Sequence, residues 1–532
     1  MNVVALRAQS ILTMEPGVPP ATTIVLEGDR IVAVGPATLT ERWPGAEVID
    51  LGARTVAPGL IDAHNHLSVA ALHPLWTDAS GVSSSEALRD RFRATRQSTE
   101  DVNGWVRAFG WDDGKVLLAR GDLDEIEPDR PAIVVHFSLH QCVVNSAALE
   151  ELGISSSTPD PAGGGIARDS AGRPSGGLLE RAWSEAHARS LAGYTEPDRW
   201  GELIERRCRT LLQEGVTALH DAACSPAAEA VYASLAAQGR LPIGVVANPH
   251  PAALLSELDP ARLDGPPTGE GSEQFRIGPV KLFADGGAQP GVVGHLGGEP
   301  VQLGMTFGPI HHQIEAAADR GFGVAVHVMG NAMMDEVLDA FGRVADRAPM
   351  LRIEHATLAS TEHIERMASQ GVVAVVQPGF VPLLGALVEG YELDEATWMP
   401  FRSLLDAGVT LAGSSDDPCD VNWQPLTAAV RGVSRMLPSG RLLGPDQTVG
   451  YADWLHAYTR GSAIAGGQSN ERGVLRPGTR ADLVVLDGSL DADEPPRVAQ
   501  TWIGGRVVYD AAAPAETSGA RSTSSTDNPS TA

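Results

Sequence analysis

Eight short apolar runs, separated by stretches rich in Ala, Leu, Glu and Arg, recur along most of this 532-residue chain. In order they read TVAPGLIDAHNH, GVTALHDA, PIGVVANP, GPVKLFADGG, GFGVAVHVMG, LRIEHAT, GVVAVVQPG and GVTLAGSSDDP. Strand-like runs that alternate with helix-like stretches indicate βα units and a parallel sheet. Eight such units predict an α/β protein built on a (β/α)8 barrel, the TIM-barrel architecture.

The connection after the first run is much longer than the others, from about residue 67 to residue 215. A crossover between parallel strands needs only about a dozen residues. We therefore expect a large insertion after strand 1. The predicted barrel comprises residues 56–76 and 210–469, and the predicted inserted domain comprises residues 77–209.

Both ends of the chain carry hairpin signals. TTIVLEGDRIVAVGP near the start, and ADLVVLDGSL with TWIGGRVVYD near the end, are apolar runs broken by Gly or Asp. Chain ends often lie close together, so residues 1–55 and 470–512 are expected to form one small β-sandwich domain. Residues 513–532 are small and polar and are expected to be a disordered tail.

Polar side chains stand at the C-terminal ends of several predicted strands, where a (β/α)8 barrel builds its active site. The first strand ends in His64 and His66, which face the same side as residues i and i+2. The other members of the set are Lys281 on the fourth strand, His327 on the fifth, His355 on the sixth and Asp416 after the eighth.

Taken singly, each residue has an ordinary explanation, since buried histidines are usually hydrogen-bonded and an Asp in SSDDP suits a turn. Four histidines and an aspartate at one end of a barrel indicate a metal site instead. Imidazole and carboxylate ligands without cysteine favour Zn²⁺, although Mn²⁺, Fe²⁺ or Co²⁺ also suit them. Water on such an ion has a pKa lowered toward about 7, and an aspartate beside it can carry its proton to a leaving nitrogen. The predicted chemistry is hydrolysis at a carbonyl carbon.

The motifs PGLIDAHNH, VKLFADG, AVHVMGN, RIEH and GSSDDP together resemble those of the amidohydrolase superfamily. In the insertion, GWDD, PDRPAIVVHFSLHQCVVNSAALEELGI and GGGIARDSAGRPSGGLLE resemble amidohydrolase family 3, the YtcJ-like branch that includes N-substituted formamide deformylases. The resemblance implies one or two divalent metals, a general base at Asp416, and an inserted domain, residues 77–209, that covers the barrel mouth. The ligands that it implies are His64, His66, Lys281, His327, His355 and Asp416. The segments DGG at 285–287 and HVMGN at 327–331 depart from the DGS and HAIGD usual in the family, which leaves the substrate open.

Lysine is rare in this chain and occurs only at positions 115 and 281 among 40 lysines and arginines. In many superfamily members the strand 4 lysine is carboxylated to a carbamate that bridges two metals, and Lys281 stands at that position. Arginine stays protonated and cannot offer the neutral amine that CO₂ attacks, which explains a lysine here. An ion pair of Lys281 with Asp285 or Asp416 is the alternative.

Six further residues are weaker candidates for contact with substrate because they flank the predicted mouth: His140, Asn145, Trp111, His220, Asp285 and Gln377. Ordinary explanations compete with each of them. Asn145 suits a helix cap, Asp285 suits an Asp-Gly turn, and Trp111 suits simple packing. His220 could instead support a metal ligand from behind.

The composition excludes several classes of partner. A net charge of −27 and a pI near 4.9 disfavour binding to nucleic acid or to an anionic membrane. Four cysteines without a CxxC pair predict neither a disulfide framework nor a thiolate metal site. No signal-peptide pattern and no apolar span of about 20 residues stand out, so a cytoplasmic location is expected. The oligomeric state stays open, a homodimer being the commonest arrangement.

These observations predict a metal-dependent hydrolase that cleaves a C–N bond of a small amide, N-formyl or carbamate-like molecule. Hydrolysis of an ester or lactone by the same site is the alternative among enzymes. A catalytically inactive barrel that serves as a scaffold is the alternative outside enzymes, and it predicts lost ligands, whereas this sequence keeps all of them.

Overall fold

The computed structural model describes residues 3–95, 102–490 and 494–513. Strands and helices alternate through most of these ranges, and parallel sheets occupy the middle of the chain, so the protein has a mixed α/β fold. The tail expected at 513–532 lies outside the described residues except for Ala513.

Eight strands of the central region run parallel to their neighbours, and we label them in chain order. They are β1 (Leu60–Asn65), β2 (Val216–Cys224), β3 (Gly244–Pro249), β4 (Val280–Phe283), β5 (Val324–Val328), β6 (Leu351–His355), β7 (Val373–Val376) and β8 (Thr410–Gly413). One sheet has the order β1-β2-β3, with the short strand Phe275–Ile277 at its edge, and the other has the order β4-β5-β6-β7-β8. A parallel bridge between Asn65 and Asp417 also joins the end of β1 to the segment after β8.

These strands are almost continuous runs of buried residues, as is typical of parallel strands covered on both faces. Helices follow most of them, and several begin with a side-chain cap, for example Ser225 and Ser360. The helices of this region are Leu67–Ala70, Pro226–Ala237, His311–Asp319, Met334–Val344, Thr361–Ser369, Phe380–Leu384, Phe401–Asp406, Pro425–Ser434, Tyr451–His456 and Ser462–Ala465, with a π-helical turn at Ala457–Gly461.

The connection between β1 and β2 carries a sheet of its own. Its six strands, in spatial order, are Gly164–Arg168, Pro174–Glu180, Gln141–Val144, Ala132–His136, Val106–Trp111 and Thr77–Asp78. Its helices are Ser85–Thr95, Arg120–Ile126, Ser146–Glu151, Arg181–Leu191 and Pro197–Gln213. The turn between Ala132–His136 and Gln141–Val144 carries His140 toward the ends of the parallel strands.

Both chain ends contribute to one eight-stranded sheet. The strands are Val3–Ile11, Ala21–Glu27, Arg30–Gly35, Glu47–Asp50, Thr55–Pro58, Leu483–Asp487, Arg497–Ile503 and Arg506–Asp510. Thr55–Pro58 pairs with strands from both ends, at Val3–Ile11 and at Leu483–Asp487. The hairpin expected around Gly28 and Asp29 is present, because Ala21–Glu27 pairs antiparallel with Arg30–Gly35.

The first apolar run is divided between two sheets, whereas the sequence predicts a single strand. Thr55–Pro58 belongs to the terminal sheet and Leu60–Asn65 begins the parallel one, with Gly59 between them. A Cβ atom on Gly59 would lie 2.2 Å from Oγ1 of Thr217. Gly59 therefore lets the chain pass close to β2 as it changes sheets.

Two expectations about the whole chain can be compared with the described part. Cys142, Cys208, Cys224 and Cys419 are all buried and unpaired, as the absence of a disulfide pattern predicts. Among the described residues, every helix is too short or too polar to traverse a lipid bilayer.

Candidate metal centre

The two histidines at the end of β1 converge with Asp416. Oδ1 of Asp416 lies 3.1 Å from Nε2 of His66 and 3.4 Å from Nε2 of His64. Asp416 adopts a left-handed backbone conformation with φ of 56°. Backbone hydrogen bonds hold the two segments together, because Asp416 N donates to His64 O at 2.8 Å and His66 N donates to Asp417 O at 2.8 Å. Three candidate ligand atoms thus lie within 4.8 Å of one another in a buried position.

Three other predicted ligands surround this group. The ring centroid of His355 lies 4.8 Å from that of His64 and 4.5 Å from that of His327. Lys281 is fully buried in β4, with Nζ 4.7 Å from the ring centroid of Phe283. All six predicted ligands line one narrow cavity of about 20 Å³, together with Ser138, Leu139, His140, Leu254, Leu255, Phe283 and Cys419.

The polar atoms of this cavity fit a divalent cation. Asp416 Oδ1, His327 Nε2 and Lys281 Nζ are buried and have no hydrogen-bond partner among the described residues. Burial, assisted by Lys281, lowers the pKa of His64 to about 4, and burial lowers the pKa of His355 to about 3. Their imidazoles are therefore neutral at physiological pH, as metal ligands must be. Unpaired buried donors and acceptors are costly unless an ion or water satisfies them.

Residues behind the cavity fix the orientation of the histidines. Nδ1 of His64 lies 2.6 Å from Glu354 Oε2, which leaves Nε2 directed at Asp416. Arg352 donates to both carboxylate oxygens of Glu354, at 2.8 Å and 3.0 Å. His355 Nδ1 contacts Gln377 Oε1 at 2.9 Å, and His66 Nδ1 donates to Ala222 O at 2.9 Å. Such partners set the tautomer and angle of a ligating imidazole.

The match to known proteins is extensive. Residues 47–509 match the model of the Amidohydrolase family. This chain belongs to the amidohydrolase family. It is 33% identical over 489 residues to N-substituted formamide deformylase of Arthrobacter pascens, covering 88% of this chain and 90% of that protein. It is 27% identical over 533 residues to the putative amidohydrolase YtcJ of Bacillus subtilis (strain 168), covering 92% and 98% of the two chains.

A solved structure supports the same assignment. An uncharacterized metal-dependent hydrolase from Pyrococcus horikoshii superposes with a TM-score of 0.72 at 25% identity, covering 92% of this chain and 98% of that chain. The amidohydrolase described here is therefore an enzyme, a metal-dependent hydrolase.

Asp285 and Gln377 of this amidohydrolase are engaged in internal hydrogen bonds beside the cavity. Asp285 accepts from the backbone N–H groups of Met329, Gly330 and Gly291 at 2.7 to 3.1 Å. Burial raises the pKa of Asp285 to about 7. Gln377 accepts from His355 and donates to Ser414 Oγ at 2.8 Å. Both side chains therefore have internal partners, and neither lines the cavity.

Three more of the weaker candidates, like Asp285 and Gln377, do not line the cavity. His220 Nδ1 accepts from Arg352 Nη1 at 3.0 Å, behind β6. Asn145 caps the helix Ser146–Glu151, which is the structural role that its sequence position suggests. Trp111 packs in the core of the inserted segment and donates its Nε1–H to Val116 O at 2.7 Å.

His140 is the candidate from the insertion that does reach the cavity. Its ring centroid lies 5.3 Å from that of His327. Nδ1 of His140 lies 2.5 Å from Oε2 of Glu180, a buried residue at the end of the strand Pro174–Glu180. Sequence reasoning singled out neither Glu180 nor Glu354. The sequence does contain a signal that could have identified Glu354. Arg352 and Glu354 are two charged residues inside the short strand-like run LRIEH.

Proposed function

We propose that this amidohydrolase cleaves a C–N bond of a small amide, N-formyl or carbamate-like molecule. The observation that carries the proposal is the convergence of His64, His66 and Asp416 on one point of a buried cavity. Similarity to a relative named N-substituted formamide deformylase supports a C–N bond as the target.

The proposed architecture is a (β/α)8 barrel formed by residues 56–76 and 210–469. Support comes from the parallel order of β1 to β8 and from the bridge between Asn65 and Asp417, which makes β1 and β8 neighbours. Residues 77–209 form the proposed inserted domain over the mouth. Residues 1–55 and 470–512 form the proposed β-sandwich domain.

Zn²⁺ is the proposed ion, because the predicted ligands are mainly imidazoles with a carboxylate. Cys419 also lines the cavity, but burial raises the pKa of its thiol well above its usual value, so it offers no thiolate. His64, His66, His327, His355 and Asp416 would hold it. A carboxylated Lys281 would add a bridging ligand for a second ion. When bound, such an ion lowers the pKa of water and polarises a carbonyl group.

Asp416 is proposed to accept the proton of the attacking water and to deliver it to the leaving nitrogen. Burial raises the pKa of Asp416, but the imidazoles of His64, His66 and His355 outweigh burial and hold the pKa well below its usual range. The carboxylate is therefore ionised throughout the neutral range and is able to accept a hydrogen bond. The segment around His140 and the apolar side chains of Leu139, Leu254, Leu255 and Phe283 limit the water around the reacting carbonyl.

A panel of N-formyl amines, anilides, carbamates and aryl esters, with product identification and metal analysis, tests the proposal. We expect one or two transition-metal ions per chain and release of an amine. Asp416→Asn should lower kcat by at least about 100-fold, whereas Asp319→Asn, an exposed control, should not. Cleavage of esters alone would favour the ester hydrolase. No bound metal, with no activity after addition of Zn²⁺ or Mn²⁺, would favour the scaffold.

A further inference from the structure

A histidine and a glutamate from the inserted segment form a buried pair at the wall of the cavity. His140 Nδ1 lies 2.5 Å from Oε2 of Glu180, and Glu180 has no exposed surface. The other carboxylate oxygen, Oε1, accepts from the backbone N–H groups of Ala288 and Gln289 at 3.1 and 3.2 Å. Glu180 adopts a left-handed backbone conformation with φ of 50°. Such strained positions persist where the surrounding contacts require them.

These contacts determine which ring nitrogen of His140 carries the proton. A carboxylate oxygen approaches a ring nitrogen to 2.5 Å only with a proton between them, so Nδ1 is the protonated nitrogen. The Gly287 N–H also donates toward Nδ1, at 3.0 Å, which would suit an unprotonated Nδ1. The 2.5 Å contact with the carboxylate is much shorter and decides where the ring proton lies. In the neutral ring Nε2 then carries a lone pair, and the His140 side chain lines the cavity.

Two glycines after β4 make room for this pair. A Cβ atom on Gly287 would lie 2.4 Å from Nε2 of His140, and one on Gly286 would lie 2.7 Å from Oε1 of Glu180. The segment after β4 and the inserted segment are therefore fitted to each other.

We propose that Nε2 of His140 accepts a hydrogen bond from the N–H group of the substrate, and that Glu180 is the positioning residue that fixes this tautomer. The enzyme then selects secondary amides, N-formyl amines or carbamates that carry an N–H over tertiary amides and esters. This inference rests on the proposed function. An N-methyl group in place of the hydrogen leaves the acceptor unpaired and adds bulk in a narrow cavity, so we expect a preference of about 10- to 100-fold.

The test compares three substrates that share acyl and leaving groups: a secondary amide, its N-methyl derivative and the matching oxygen ester. Wild-type enzyme should show the preference for the secondary amide in kcat/KM. His140→Leu should lower kcat/KM for the secondary amide by about 10- to 100-fold and leave the ester within about 3-fold. The metal content should stay that of the wild type. The control is His295→Leu, since His295 makes the same 2.5 Å contact with Glu395 on the exposed surface.

Glu180→Gln provides a second and sharper variant. The amide oxygen of Gln would still accept the hydrogen bonds from the N–H groups of Ala288 and Gln289. Its NH₂ group would then donate to Nδ1 of His140, and the ring proton would move to Nε2. The preference for N–H substrates should then fall at least as far as in His140→Leu. Glu395→Gln is the matched control. Gly287→Ala, which would displace the His140 ring, should lower the same preference.

The possible outcomes distinguish a failure of the role proposed for His140 from a failure of the proposed hydrolase function. Equal losses for all three substrates, or an unchanged preference in folded variants with full metal content, would overturn the role of His140. If the wild type cleaves amides without preferring N–H substrates, only this inference fails. If the wild type cleaves esters alone, the proposed function fails and the inference fails with it.

Discussion

Nδ1 of His64 lies 2.6 Å from Oε2 of Glu354, and both side chains are almost completely buried. Glu354 is in turn held by two hydrogen bonds from Arg352. The contact fixes the proton of His64 on Nδ1 and leaves Nε2 with its lone pair toward Asp416. His64 thus has the orientation that its predicted role as a metal ligand requires.

Glu354→Gln should weaken metal binding by about 10- to 100-fold, because the amide no longer stabilises the correct tautomer of His64. Metal content after dialysis against graded chelator concentrations measures the effect. Glu315→Gln, which alters an exposed ion pair with Arg343, is the control and should bind metal normally. Normal metal affinity in a folded Glu354→Gln protein would contradict the positioning role.

Lys281→Ala should lose metal and activity, with partial recovery in bicarbonate or a short carboxylic acid that replaces the missing ligand. Burial lowers the pKa of Lys281 to about 8, so a useful fraction of the amine is neutral and open to CO₂ near neutral pH. Lys115→Ala is the natural control, because Lys115 is half-exposed and paired with Asp112. A fully active Lys281→Arg enzyme would rule out the carbamate.

Asp420→Asn should change how stability depends on pH. Burial, followed by the charges of Asp416 and Asp417, raises the pKa of Asp420 from 3.8 to about 7. Between these values the folded protein keeps a proton that the unfolded chain releases, so this carboxyl lowers stability as pH rises from about 4 to about 7. The variant should gain up to about 4 kcal/mol relative to wild type across that range, and no more above it.

Urea unfolding of metal-loaded protein at several pH values between 5 and 8 measures this difference. Asp406→Asn, at an exposed ion pair with Arg402, is the control and should follow the wild type. A difference in unfolding free energy between Asp420→Asn and wild type that does not vary with pH would show that Asp420 does not titrate in this range.

Asn145→Ala should destabilise the protein by about 2 to 4 kcal/mol, because a helix cap is lost and buried backbone groups become unpaired. Asn145 accepts from Ala148 N and Ala132 N and donates to the carbonyl oxygens of Glu127 and Arg130, all at 2.7 to 2.9 Å. Thermal unfolding reports the loss. The value of kcat/KM per folded molecule should stay within about 2-fold of wild type, and a large fall there would instead indicate substrate contact.

The candidate ligands could be read from the sequence because their signal is local. A pair at i and i+2, as in His64 and His66, faces one side of any strand. Polar residues at the ends of apolar runs meet at one edge whenever the strands are parallel. The length between the first and second runs likewise requires an inserted segment. These features depend on strand geometry and chain length, which do not vary with the details of packing.

Only the tertiary structure showed which side chains support those ligands. Glu354 and His64 are 290 positions apart, and Glu180 meets His140 across two strands of a separate sheet. Asn145 also has partners that the sequence does not reveal. Besides capping its own helix, its side chain donates to the backbone carbonyl oxygens of Glu127 and Arg130. Hydrogen bonds reach only about 3 Å, so such partners depend on how distant segments pack, and spacing along the chain carries no record of them.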